Sequence, residues 1–69
     1  MTRLLTFDTT HHALLAEQLA HDHGFGAEVT IAPAESKAKC DLALEIMHDD
    51  LDAVTDVLRT HDVLFNVWR

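Results

Sequence analysis

Basic residues are scarce in this chain: five Lys and Arg stand against twelve Asp and Glu, giving a formal net charge of −7. That balance argues against a nucleic-acid surface, because such affinity comes mainly from neutralising phosphates. It argues equally against electrostatic attachment to an anionic membrane. No apolar run approaches the roughly 20 residues of a spanning helix, and the N-terminus has no signal-peptide pattern. The expected location is therefore cytoplasmic. Cys40 is the only cysteine, which excludes an internal disulfide and fits a reducing compartment. The six histidines include no i, i+4 pair on a helix, and no CxxC or HExxH occurs, so neither a metal nor a cofactor is expected. A Gly-rich phosphate loop, a Ser-His-Asp order and a paired-carboxylate signature are also missing.

What is present describes a compact fold. Apolar residues make up 48% of the chain, with only two glycines and one proline. Sixty-nine residues suffice for one domain, residues 1–69, with a core that is marginal at this size. Residues 3–7 (RLLTF) read as a buried strand. Asp8, Thr9 and Thr10 are three successive N-cap candidates, and Leu15, Ala16, Leu19, Ala20 and His23 then follow helical spacing until Gly24. Residues 26–31 alternate as a half-buried strand that Pro33 stops. Cys40, Leu42, Leu44 and Ile46 share one face of a third strand. Asp49, with Asp52 three residues on, is expected to cap a second helix near residues 49–60, carrying Leu51, Val54 and Leu58. Residues 63–68 alternate as a last strand.

Strand, helix, strand, strand, helix, strand predicts an α+β ferredoxin-like βαββαβ sandwich: a four-stranded antiparallel sheet with two helices on one face. In that topology three connections meet at one end of the domain, carrying residues 8–12, 33–40 and 61–62. Thr9, Thr10, His11, Lys37, Lys39, Cys40 and His61 are thereby expected at one edge, and His21, His23 and His48 at the other. Cys40 is the chemical candidate there, since a thiolate is favoured by neighbouring cations and by a helix N-terminus. Lys37, Lys39 and the first turn of the first helix supply these, while Asp41 and Asp62 oppose them. The alternative reading of Cys40 stands beside this one: a small buried hydrophobe in register with Leu42 and Leu44.

The chain also resembles a small bacterial family of selenium/sulfur carrier-like proteins. The resemblance rests on Leu4-Leu5-Thr6-Phe7, Thr9-Thr10-His11-His12-Ala13-Leu14 and Ala16-Glu17, and on Ile31-Ala32-Pro33, Glu35 and Cys40 before Leu42-Ala43-Leu44. The chain departs from the family pattern at Lys37-Ala38-Lys39, where a serine-rich run is usual. It departs again at Asp41, in place of a glycine, and at Ala34, in place of an arginine. The resemblance implies a cysteine-dependent sulfur or selenium carrier, rather than an enzyme with turnover, holding a persulfide on Cys40. Donor and acceptor proteins would be its partners. Lys37, Lys39, Thr9 and Thr10 would support the anionic form, with His11 or His61 shuttling a proton.

A second reading is a binding or assembly module without cysteine chemistry. Leu4, Ala43, Leu64 and Trp68 are expected on the sheet face away from the helices, where a homodimer would cover them.

Overall fold

Short apolar runs separated by capped helices produce the expected architecture. In the computed structural model, which describes residues 1–68, the order is β1 (Thr2–Thr6), α1 (Thr10–Asp22), β2 (Glu28–Ile31), β3 (Leu42–Met47), α2 (Leu51–Thr60) and β4 (Asn66–Trp68). Short 3-10 turns occupy Ala34–Ser36 and His48–Asp50. All strand pairs are antiparallel, in the order β2-β3-β1-β4. This is the ferredoxin-like βαββαβ arrangement.

Register sorts the side chains. Val29, Leu44, Leu5 and Val67 form one row across the four strands. Leu5 and Leu44 in that row join Phe7, Ile46, the α1 alanines Ala13, Ala16 and Ala20, and the α2 residues Val54 and Leu58 in a single core. Both helices therefore cover the same face. Alanine at the contact positions of α1 lets that helix lie close over β2 and β3. The neighbouring row, Glu28, Glu45, Leu4 and Trp68, lies on the uncovered face.

Local chemistry sets the helix ends. Thr9 is extended (φ −138°), and its hydroxyl accepts the His12 N–H at 3.2 Å, capping α1. At the other end Gly24 adopts φ 83°, and Gly24 and Phe25 return their N–H groups to His21 and Ala20. Helix α2 ends in the same way, with Asp62 at φ 58° and the Asp62 and Val63 N–H groups on Arg59 and Leu58.

Several element boundaries differ from expectation: β1 covers Thr2–Thr6 rather than residues 3–7, β2 starts at Glu28 rather than at residue 26, and α2 and β4 both start later. Residues 48–50 form a 3-10 turn, and α2 starts at Leu51 with Asp50 as its cap. Asp50 is at φ −92°, ψ −3° and makes no side-chain capping bond, because that bond requires an extended cap residue. The last strand covers Asn66–Trp68 rather than residues 63–68, since the Val63 N–H closes α2 at 2.9 Å instead of entering the ladder. Leu64 is consequently outside the sheet and 67% exposed. Ala43 does face away from the helices, but it is fully buried at 0% exposure. Among the described residues, no helix is long and apolar enough to cross a membrane.

Candidate functional site

Cys40 ends a connection that is tied mainly to itself. Pro33 leaves β2, and the Ser36 hydroxyl donates to the Pro33 carbonyl at 2.7 Å while accepting the Ala38 N–H at 3.2 Å. Lys37 turns the chain in the left-handed region, at φ 55°. The two ends of the loop are pinned by the Ala32 N–H on the Asp41 carbonyl at 2.8 Å. The Cys40 N–H then donates to the Phe7 carbonyl at 3.3 Å, fastening the cysteine to the end of β1.

Two polar groups meet the sulfur. The Leu42 N–H donates to Cys40 Sγ at 3.3 Å, and the Thr10 hydroxyl lies 3.6 Å from it. Thr10 opens α1, so the sulfur sits beside that helix's first turn. The thiol is free but only 4% exposed, and it belongs to the apolar core together with Phe7 and Ala13.

The other candidates separate into three places. Thr9 spends its hydroxyl on the α1 cap. His11 is exposed, its ring 5.9 Å from that of His12. Lys37 and Lys39 line a cleft of about 240 Å³ shared with Asp8, Thr6, Asn66 and Trp68. The lysines thus frame the border between the loop and the uncovered sheet face.

His61 is elsewhere. Its ring meets that of His23 edge-on, 6.2 Å between centroids, although sequence reasoning put these two at opposite ends of the domain. His61 caps the C-terminus of α2 as His23 caps that of α1, and the two caps lie within side-chain reach of each other.

A further polar constellation lies on β2 and β3. Glu28 and Glu45 are direct cross-strand partners. They line a groove of about 410 Å³ with Glu17 and His21. Glu17 accepts the Val29 N–H at 3.1 Å, and His21 Nε2 donates to the Ala27 carbonyl at 2.6 Å. The alternation of the two strands contained the signal, since both glutamates have outward parity.

A ferredoxin-like domain with one cysteine delivered by the β2–β3 connection to the start of α1 defines the class structurally. Residues 2–67 match the family described as "Putative Se/S carrier protein-like", and the chain belongs to that family. No match was found among curated proteins or among solved structures.

Proposed function

We propose that this protein is a sulfur or selenium carrier that holds its cargo on Cys40, working between donor and acceptor proteins in the cytoplasm. The observation that carries this reading is the pair of polar groups at the sulfur, the Leu42 N–H and the Thr10 hydroxyl, at the mouth of α1. These groups give a cargo atom held on Cys40 polar neighbours that a purely apolar pocket lacks.

Loading is a displacement. The Cys40 thiolate attacks the outer sulfur of a donor persulfide; a new S–S bond forms at Cys40 and the donor's S–S bond breaks. The donor leaves as its thiolate, and the proton balance is neutral when both thiols are counted. With selenium as cargo the product is Cys40–S–SeH. Unloading reverses the roles, with an acceptor thiolate taking the outer atom. Lys37 and Lys39, exposed on the same loop, attract the anionic reactants, and His11 on the first turn of α1 serves as proton shuttle. Because Cys40 is 4% exposed, transfer proceeds through opening of residues 33–39, whose side-chain bonds are internal to the loop.

The test is mass spectrometry of the native protein after exposure to glutathione persulfide or its selenium counterpart. A gain of about 32 Da, or about 79 Da for selenium, that Cys40→Ala abolishes is the expected result. The burial of Cys40 favours a second reading, in which the thiol is a packing residue and the protein a binding module. A cysteine that is modified only after denaturation establishes that reading and removes the carrier.

A further inference from the structure

We propose that His23 and His61 form a two-histidine site for a divalent late-transition-metal ion, of the class of Ni²⁺, Cu²⁺ or Zn²⁺. The two residues occupy the same position at the ends of their helices: each is the C-cap, followed by a residue with positive φ, Gly24 or Asp62. Each ring makes the same bond. His23 Nδ1 meets the Leu19 carbonyl at 2.9 Å, and His61 Nδ1 meets the Val57 carbonyl at 2.9 Å. A carbonyl oxygen only accepts, so in both rings Nδ1 carries the proton. Nε2 is then left with its lone pair, the arrangement in which a second partner fixes the tautomer of a metal-ligating histidine.

Spacing fits one ion between them. With a metal–nitrogen bond of about 2.1 Å, two Nε2-bound rings have centroids about 5.3 Å apart at a tetrahedral angle and about 6.5 Å apart when trans. The observed separation is 6.2 Å, within reach of small rotations of two exposed side chains. The electrostatics point the same way. Two helix C-termini converge here, each presenting the negative end of its dipole, in a chain of net charge −7. Asp22 and Asp62 flank the pair in sequence; the Asp22 carboxylate takes the Gln18 amide at 2.9 Å.

Two nitrogens are the protein's whole donor set. Among the described residues no group of three or more His, Cys, Asp or Glu is arranged to hold a metal. Water fills the remaining positions, so the ion exchanges readily. Affinity follows the usual order for divalent ions at nitrogen ligands, Cu²⁺ above Ni²⁺ and Zn²⁺. The two histidines are far apart in the chain, which is why no spacing motif reveals them.

The site is independent of Cys40, so its test is run on Cys40→Ala, where the thiol cannot compete for metal. Titration with NiCl₂ and with ZnCl₂, followed calorimetrically, is expected to give one ion per chain. His23→Ala and His61→Ala should each weaken binding at least about tenfold, and the double variant little more than either single one. His48→Ala, at an exposed histidine of the 3-10 turn, should bind as the parent does. In the imidazole ¹H–¹⁵N spectrum Zn²⁺ should move the Nε2 signals of His23 and His61 alone. Equal affinity in the parent and the double variant, or small shifts spread evenly over all six histidines, overturns the proposal. Circular dichroism confirms that each variant is folded.

Discussion

At the scale of single residues, Cys40 combines two properties that sequence reasoning held as alternatives. Its place at the end of a proline-led loop was legible, because Pro33 stops one strand and Leu42 and Leu44 start the next. Its burial was legible only as parity, since the loop position and the core-facing register point in opposite directions. The register prevails: Sγ is enclosed with Phe7 and Ala13, yet keeps two polar neighbours. Those neighbours have separable effects. Thr10→Val retains the shape of the side chain and removes the hydroxyl 3.6 Å from the sulfur. Losing one hydrogen bond to a charged group is worth about 1.5–3 kcal/mol, so the rate of persulfide formation should fall about tenfold or more. Stability, measured by urea unfolding, should change by no more than about 1 kcal/mol. An unchanged rate would show that the hydroxyl does not assist the sulfur.

At the scale of elements, the order and type of all six were readable from period and caps, whereas several boundaries were not. Thr9 was one of three adjacent cap candidates, and sequence alone offers no choice among Asp8, Thr9 and Thr10. The extended backbone at Thr9 makes the choice. Asp50 shows the converse, a residue of the right type at the cap position whose backbone prevents the bond. The two helices should therefore respond differently to cap removal. Thr9→Ala should cost about 1 kcal/mol, lowering Tm by about 4–8 °C in a domain of this size. Asp50→Ala should cost only the weaker dipole interaction, about 0.3–1 kcal/mol. Equal losses in thermal unfolding would mean that the Thr9 hydroxyl contributes nothing beyond charge and propensity. The shortened β4 has the same kind of cause: alternation of residues 63–68 is genuine, but the Val63 N–H is consumed by the end of α2.

At the scale of the whole molecule, the uncovered sheet face is the surface through which a second copy of the chain would have to pack. Ala43 is sealed beneath its neighbours and Leu64 has left the sheet, so the apolar part of the face reduces to Leu4, Met47 and Trp68. Leu4 and Trp68 are direct cross-strand partners, and they line an open cleft of about 610 Å³ with Glu45 and Arg3. Glu28 and Glu45 lie opposite each other in the same row, and like charges so placed repel. A dimer closed through this face gathers four such carboxylates from two chains that each carry −7. Apolar contact favours that assembly and charge opposes it, so the balance should follow ionic strength. Screening shortens from about 30 Å at 0.01 M salt to about 8 Å at 0.15 M. Sedimentation equilibrium is expected to give monomer at low salt and a rising dimer fraction as salt is added. Glu45→Gln should shift the midpoint to lower salt, and Trp68→Ala should abolish the dimer. A protein that stays monomeric at every salt and protein concentration would remove the sheet face as a site of self-association, leaving Trp68 and the two loop lysines as the wall of a monomeric cleft.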